Sequence, residues 1–264
     1  NSSIGLIYAL KKILSIMIKK KLKTFYKKIK TRKLKYFFGS DDVFKIISKD
    51  LLKTKENFRN VLDLGCGNLE NIKEIENLRF ENYLAVDWIQ PPKKYLKDKR
   101  IKFIKSDIDK FKTKSKFNLI LLLGTIEHIK YPELILKKIK KMMSKNATLI
   151  ISHPNYYNIR GIILLTCKML YNSKVSLSDV HNFYPEEVKE MLNKIGFSKV
   201  KIQTIRKEEY NKKDINFLDL KQRLPKFIKS KENIKKFLKK YLIMKKYLKG
   251  GYLSGQYTIL YVKK

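Results

Sequence analysis

Several residue types are scarce in this 264-residue chain, and each shortage excludes a class of protein. The two cysteines, Cys66 and Cys167, provide no disulfide framework and indicate a reducing compartment. Neither cysteine has metal-ligand spacing to any of the three histidines, so we expect no structural zinc and assign no metal ligands. The apolar run over residues 4–18 contains Lys11 and Lys12 and is too short to span a bilayer comfortably.

Acidic residues are also few, with 24 Asp and Glu against 61 Lys and Arg, which gives a formal net charge of +37. A field of that size attracts polyanions whatever their sequence. Arginine supplies only 7 of the basic residues, although selection for phosphate recognition favours its planar fork over the point charge of lysine. The abundance of Lys, Ile, Asn, Phe and Tyr is typical of an AT-rich genome. Nucleic acid is therefore the less favoured partner, but the sequence does not exclude it.

The first 40 residues lack Asp and Glu altogether, yet they carry twelve Lys or Arg. Their apolar residues recur at helical spacing and predict a basic amphipathic helix. Three interpretations remain open: a surface helix packed on the protein's own core, an anchor at an anionic membrane surface, and an organelle-targeting segment. We expect a cytoplasmic protein, peripheral on the membrane under the second interpretation. The apolar face consists of Ile7, Leu10, Leu14, Ile18, Leu22, Phe25 and Ile29.

From residue 41 onward, strand-like and helix-like segments alternate. Near-continuous apolar segments, such as residues 119–123, are typical of parallel strands covered on both faces. We therefore predict an α/β, Rossmann-like, doubly wound fold with a mostly parallel seven-stranded sheet. The predicted units are the helix over 1–40, a core over 41–205, a Lys-rich helical cap over 206–250 and a final core strand within 251–264.

The predicted boundaries follow from this alternation and from turn residues between the segments. The strands are 60–64, 82–87, 101–105, 117–123, 147–152, 198–205 and 257–262; the helices are 41–55, 69–78, 131–143, 158–170 and 185–195, with a short helix after residue 92.

The segment over residues 61–68 runs from an apolar strand through Asp63 into a Gly-x-Gly turn at Gly65 and Gly67. Such glycines let the backbone pass close to a ligand, and the next helix points its N-terminus at the site, although a plain tight turn has the same pattern. Glu70 occupies the position of the third glycine in a dinucleotide-binding loop. Because its carboxylate disfavours a pyrophosphate, a positively charged cofactor without phosphates fits better.

Two further acids end predicted strands. Asp87 follows the second strand, 22 residues after Gly65, where a doubly wound fold places the carboxylate that holds ribose hydroxyls. Asp107 follows the third strand, beside the base of a bound nucleoside, although it is equally suited to be the N-cap of a helix. Open α/β sheets bind their ligands at this edge, so the spacing predicts a nucleoside cofactor.

These motifs resemble those of class I S-adenosylmethionine-dependent methyltransferases, over about residues 58–205 plus the final strand. The resemblance extends to the ubiquinone-biosynthesis-type O-methyltransferases and their glycan and secondary-metabolite relatives. Three elements carry this finer likeness: Gly-Thr-Ile-Glu-His-Ile at 124–129, His-Pro-Asn at 153–155, and His-Asn-Phe-Tyr-Pro-Glu-Glu at 181–187 leading to Gly196-Phe197.

The resemblance implies S-adenosylmethionine as the cofactor. Asp63 and the glycine turn would surround its methionine part, Asp87 would hold the ribose, and Asp107 with the Ile108 backbone would contact the adenine. A glycine usually stands in the family at the position of Leu69, whose side chain is expected to narrow the methionine pocket. The complete implied set of cofactor-binding residues is Asp63, Gly65, Cys66, Gly67, Asp87, Trp88, Asp107, Ile108 and Gly124.

Two histidines are candidate catalytic bases, because transfer to a hydroxyl requires alignment of the acceptor and removal of its proton. The resemblance places His128 at the pocket mouth and His181 in the acceptor-side element. The alternatives are a structural hydrogen bond for His128 and, for His181, a cap on the helix that begins at Pro185.

The predicted function is O-methylation of a small-molecule, lipid-linked or glycan acceptor, with a membrane surface as one setting. The alternative is an RNA-modifying or catalytically inactive methyltransferase-like subunit of an RNA–protein assembly.

Overall fold

The computed structural model describes residues 40–54, 56–69, 78–156, 158–172, 179–205, 232–237, 239–240 and 257–264. The predicted helix over 1–40 and most of the predicted helix over 69–78 lie outside these residues. Of the predicted cap over 206–250, only the residues between 232 and 240 named above are described, and they are helical. The division of the chain into four units therefore stays a prediction.

Seven strands and four α-helices are described, together with short 3-10 helices at Lys93–Leu96 and Ile126–His128. The strands are β1 Phe58–Leu64, β2 Phe80–Asp87, β3 Ile101–Lys105, β4 Phe117–Leu123, β5 Met143–Pro154, β6 Lys199–Ile205 and β7 Tyr257–Lys263. The helices are α1 Ser40–Lys53, α2 Pro132–Met142, α3 Ile159–Tyr171 and α4 Pro185–Lys194.

The strands form one mixed sheet in the order β3-β2-β1-β4-β5-β7-β6. The first four pairings are parallel, whereas β7 is antiparallel to both β5 and β6. The predicted α/β Rossmann-like architecture is confirmed, but the expectation of a mostly parallel sheet needs correction at this edge. An apolar strand pattern reports burial of the two faces and carries no information about strand direction.

Apolar side chains cover both faces of the central strands. In β4, Ile120 and Leu122 belong to a core cluster that includes residues of α2 and α4, whereas Leu119 and Leu121 belong to a second cluster that includes residues of α1. All four side chains are fully buried. This two-sided burial holds the sheet rigidly, so the loops at the carboxyl ends of β1 to β4 share one fixed edge.

A hydrogen bond between side chains ties α1 to strand β7. The hydroxyl of Tyr261 donates to Asp50 Oδ2 over 2.7 Å at a partly buried position. Burial is the main cause that raises the pKa of the Tyr261 hydroxyl, and the contact with Asp50 raises it further. Because the bond joins residues 211 positions apart, it helps to fix the late strand against the first helix of the described core.

Candidate active site

The loop after β1 turns at two glycines in the left-handed conformation. Gly65 has φ 81°, and its backbone N–H donates to Val86 O over 2.8 Å. A Cβ at Gly65 would overlap the side chain of Thr125, so the close approach of these two loops requires glycine. A Cβ at Gly67 would meet no atom within 4 Å, which leaves open space beside the turn for a ligand.

Leu69 ends this turn with φ 55°, an unusual backbone conformation for a residue with a side chain. It is only 2% exposed and belongs to the core cluster that contains Ile47 and Leu78. The family's preference for glycine here therefore has a backbone reason, since a left-handed Leu costs roughly 1–2 kcal/mol. The Leu69 side chain packs in the core, which argues against the expected narrowing of the methionine pocket.

Asp87 joins the end of β2 to the glycine turn. Its Oδ2 accepts from the Gly67 N–H and its Oδ1 from the Ile89 N–H, each over 2.8 Å. Burial raises the pKa of this carboxyl, and the backbone donors oppose the rise. Each carboxylate oxygen has a second lone pair, so the side chain can hold the loop and still accept from ligand hydroxyls.

Asp63 lies at the same edge and is 3% exposed. Its Oδ2 accepts from the hydroxyl of Tyr83 over 2.7 Å. The pKa of Asp63 is raised to about 7, mainly because the carboxyl is buried. The hydrogen bond from Tyr83 lowers this pKa, and the nearby Asp87 raises it further. The pKa of the Cys66 thiol is also raised, first by burial and then by Asp63 and Asp87. This thiol is therefore uncharged in the site.

The remaining predicted cofactor residues occupy neighbouring strand ends. Trp88 follows β2 and is 37% exposed, and Gly124 follows β4 with its N–H donating to Ser152 O over 2.9 Å. Asp107 follows β3, where its Oδ1 accepts from the Asp109 N–H over 3.1 Å. Asp107 thus caps a turn, and no helix begins there as its alternative interpretation expected. Ile108, in the same turn, is half-buried against the core.

Beyond Gly124, an acidic group surrounds His128. The Nδ1 atom of His128 lies 3.4 Å from Asp179 Oδ1, and its Nε2 atom lies 4.0 Å from Glu127 Oε1. The hydroxyl of Tyr156 donates to Asp179 Oδ2 over 2.9 Å. A proton on Nδ1 pairs with Asp179 and leaves Nε2 as the basic nitrogen of the neutral ring. We call Glu127, His128, Asp179 and Tyr156 the acceptor-side cluster.

Glu127 is the buried member of the acceptor-side cluster, with 3% of its surface exposed. Burial and the neighbouring Asp179 raise its pKa to about 8. Its Oε2 is buried and has no hydrogen-bond partner among the described residues. A buried oxygen of this kind is costly unless a ligand or a water satisfies it, so the cluster favours a donor or a cation at this point.

His181 lies next to the cluster through its backbone, because its N–H donates to Glu127 O over 3.0 Å. Its ring stacks on Phe183 at 4.9 Å, and its Nε2 is 3.4 Å from Lys130 O. The expected cap on α4 comes instead from Glu187, whose Oε2 accepts from the Tyr184 N–H over 2.9 Å. A side chain three residues into the helix can reach that N–H, as in a capping box.

Four residues of this edge have no assigned role in the sequence-based site: Tyr83, Thr125, Glu127 and Asp179. Tyr83 was detectable in principle, since a polar aromatic inside an apolar strand needs a partner. Asp179 comes close to His128, and Tyr156 to Asp179, only through the fold. Among the described residues, no three His, Cys, Asp or Glu side chains are grouped so as to hold a metal ion.

The edge as a whole suits a cationic nucleoside cofactor. Open space lies beside Gly67. The pKa values of the Asp63, Asp87 and Glu127 carboxyl groups are raised, and a positive charge nearby would lower them by stabilising the ionised forms. A cofactor with phosphates would meet these carboxylates as like charges.

Comparison with known proteins identifies a family. A family model described as a methyltransferase domain matches residues 34–202. The chain is 31% identical over 103 residues to (S)-coclaurine N-methyltransferase of Papaver somniferum, a match that covers 36% of this chain and 29% of that protein. It is 29% identical over 103 residues to (S)-tetrahydroprotoberberine N-methyltransferase of Eschscholzia californica, with the same coverage. The matched region is thus under a third of either relative.

Solved structures share the fold over most of the chain. A SAM-dependent methyltransferase from Archaeoglobus fulgidus has a TM-score of 0.56 at 20% identity, covering 88% of this chain and 97% of that one. The 1,6-didemethyltoxoflavin-N1-methyltransferase of Burkholderia thailandensis, solved with S-adenosylhomocysteine, has a TM-score of 0.57 at 12% identity, covering 95% and 88%. At these identities the likeness concerns the fold alone.

The contact between Gly65 and Thr125 gives a prediction with an internal control. Replacing Gly65 with Ala places a methyl group on the Thr125 side chain, whereas Gly67→Ala carries only the cost of a left-handed backbone. We expect Gly65→Ala to lower the free energy of unfolding by about 2 kcal/mol more than Gly67→Ala. Adding Thr125→Ala should recover part of this loss. Urea denaturation measures all three, and equal losses for the two glycine variants would contradict the prediction.

Proposed function

We propose that this chain, which belongs to the methyltransferase-domain family, transfers the methyl group of S-adenosylmethionine to a small-molecule acceptor. The observation that carries the proposal is the contact between the loops after β1 and β4 at Gly65 and Thr125. Two residues beyond Thr125, Glu127 opens the acceptor-side cluster, so the glycine turn and a proton-accepting histidine share one edge.

The class of enzyme and its cofactor agree with the prediction made from the motifs. The family match and the fold confirm a class I S-adenosylmethionine-dependent methyltransferase. The finer likeness to ubiquinone-biosynthesis-type enzymes stays a prediction. O-methylation, and a lipid-linked or glycan acceptor, belong to the proposal in the same way.

The residues at the ends of the first three strands would hold the cofactor. S-adenosylmethionine supplies a methyl group on a positively charged sulfur. Asp63 and the turn at Gly65 and Gly67 would hold its methionine part, Asp87 its ribose, and Asp107 with Ile108 its adenine. The raised pKa of Asp63 and the unpartnered Oε2 of Glu127 support this arrangement, because a nearby cation stabilises both carboxylates.

An oxygen acceptor is the first candidate. His128 is held by Asp179, which is itself held by Tyr156, so its Nε2 has a defined direction. An unprotonated Nε2 can take the proton from a hydroxyl as the oxygen gains the methyl group. Alignment of the acceptor with the cofactor would carry much of the remaining rate.

A nitrogen acceptor is the second candidate, and two observations favour it. Glu127 and Asp179 place two carboxyl groups about His128, and a protonated amine would favour the ionised form of the Glu127 carboxyl before the amine gives up its proton. The two relatives with the 103-residue match are both named N-methyltransferases.

A membrane setting and an RNA assembly remain separate proposals. The acid-free basic segment over 1–40 supports attachment to anionic lipid, and the net charge of +37 supports RNA binding. Among the described residues, no helix has the length and apolar character needed to cross a membrane.

Cofactor binding tests the proposed function directly. We expect calorimetry to detect binding of S-adenosylmethionine and S-adenosylhomocysteine by the intact chain. Asp87→Ala should weaken both by about tenfold or more, because charged hydrogen bonds of roughly 1.5–3 kcal/mol are lost. Asp87→Asn keeps the size of the side chain and should weaken binding less. No binding by the unaltered chain would overturn the function, and unchanged affinity in Asp87→Ala would place the ribose elsewhere.

Matched acceptors distinguish oxygen from nitrogen. Small aromatic pairs that differ only in a hydroxyl or an amine are incubated with labelled S-adenosylmethionine, and methylated product is measured. If the acceptor is an amine, Glu127→Gln should lower kcat/KM by about tenfold, because one charged contact is lost. The matched hydroxyl acceptor is the reference, because any lost contact between Glu127 and the cofactor lowers both values alike, and the amine should lose about tenfold more. Transfer to hydroxyl members alone would reject the nitrogen candidate.

The membrane setting and the RNA assembly predict opposite effects of shortening the basic segment over residues 1–40. Binding to vesicles that contain anionic lipid, lost after removal of residues 1–36, would support the membrane setting. Salt-dependent binding to generic RNA, kept by the shortened chain, would support the RNA assembly instead. Sedimentation with vesicles and a filter-binding assay measure the two, with neutral vesicles as the control.

A further inference from the structure

Tyr83 is a fully buried tyrosine in the middle of β2, with 1% of its surface exposed. In the register of the sheet it pairs with Val61, two residues before Asp63 on the neighbouring strand. Side chains two positions apart on a strand share a face, so Tyr83 lies diagonally across from Asp63. The Phe80 ring, with its centroid 5.5 Å away, packs against the Tyr83 ring.

The hydroxyl of Tyr83 is the feature that needs an explanation. Phe would fill an apolar site of this kind without the cost of burying a polar group. The hydroxyl donates to Asp63 Oδ2 over 2.7 Å, and Asp63 is itself buried. One oxygen of this carboxylate is therefore committed to β2, and Oδ1 is the oxygen that a ligand can use.

The charged group of the described residues that acts on the pKa of Asp63 is another carboxylate, that of Asp87. Two described residues change the pKa of Asp63: Tyr83 within β2, and Asp87 at the end of that strand. Asp63 in turn raises the pKa of Cys66, which lies on the loop after β1. No Lys or Arg of the described residues is among those that act on Asp63. Within the described part of the chain Asp63 thus has no cation beside it, and the hydrogen bond from Tyr83 favours its ionised form.

We propose that Tyr83 is a positioning residue for the cofactor: its hydroxyl orients Asp63 and favours the ionised form of this carboxyl, and cofactor binding is linked to release of a proton from Asp63. The inference rests on the proposed function, because it takes Asp63 as a contact of the positively charged methionine part of the cofactor.

The direction of this linkage follows from the surroundings of Asp63. Burial raises the pKa of Asp63 to about 7, so near neutral pH a substantial fraction of the free protein carries a proton there. A bound cation favours the ionised carboxylate, and affinity therefore increases as pH rises through this range. Tyr83 lowers the pKa of Asp63, so losing its hydroxyl moves the change in affinity to higher pH.

The test is the affinity for S-adenosylmethionine between pH 6 and 9 in the unaltered chain and in Tyr83→Phe. We expect Tyr83→Phe to bind about fivefold more weakly at pH 7, with the pH midpoint of affinity raised by about one unit and most of the loss recovered at pH 9. Asp63→Asn should bind weakly and lose the pH dependence centred near pH 7, so that the part set by Glu127, whose pKa is about 8, remains. Adding Tyr83→Phe to Asp63→Asn should then cause no further loss.

Tyr261→Phe is the matched control. It removes another 2.7 Å bond from a tyrosine to an aspartate, the one to Asp50 in α1, outside the cofactor edge. Its pH midpoint should equal that of the unaltered chain. An equal loss of affinity by Tyr83→Phe at every pH, or no loss at pH 7, would overturn the inference, because a structural role alone does not move the midpoint.

A measurement on the unaltered chain keeps the inference testable if Tyr83→Phe does not fold. Calorimetry at pH 7 in two buffers of different ionisation enthalpy reports the protons exchanged on binding. We expect net proton release with S-adenosylmethionine. Binding without release overturns the role of Asp63 and leaves the proposed function intact, whereas no binding at any pH overturns the proposed function itself.

Discussion

The close approach of Gly65 to Thr125 is the constraint on which the rest of the site depends. Only a residue without a Cβ allows the loop after β1 to lie against the loop after β4. That contact brings the turn predicted to hold the cofactor next to the segment that carries Glu127 and His128. The sheet supplies the frame, because β1 and β4 are adjacent parallel strands that end at the same edge.

The site is built from carboxylates that the fold removes from water. Asp63 and Glu127 are nearly inaccessible, and each has a raised pKa. Buried acids reduce stability unless a partner satisfies them, and the partners that the described residues offer here are few. A cationic ligand would supply the missing charge, so the same burial that costs stability favours the positively charged cofactor over a dinucleotide.

The sequence predicted the strand ends well, because local patterns determine them. Strands β3 and β4 have the predicted bounds, whereas β5 begins four residues earlier, at Met143, which pairs with Phe117 across an irregular register. The direction of β7 and the partners of His128 were not predictable in this way. Asp179 reaches His128 from a loop 51 positions away, and no local period reports such a contact.

The charge of the site is opposite to the charge of the chain. The net charge is +37, yet the edge that carries Asp63, Asp87, Glu127 and Asp179 presents carboxylates to a ligand. A polyanion attracted by the lysines over long range would be repelled at this edge. Screening limits the long-range field to about 10 Å at ordinary salt, so the local acids decide what enters. RNA bound by the outer lysines would therefore be a poor substrate for this site, and the acidic edge favours a small acceptor that is neutral or cationic.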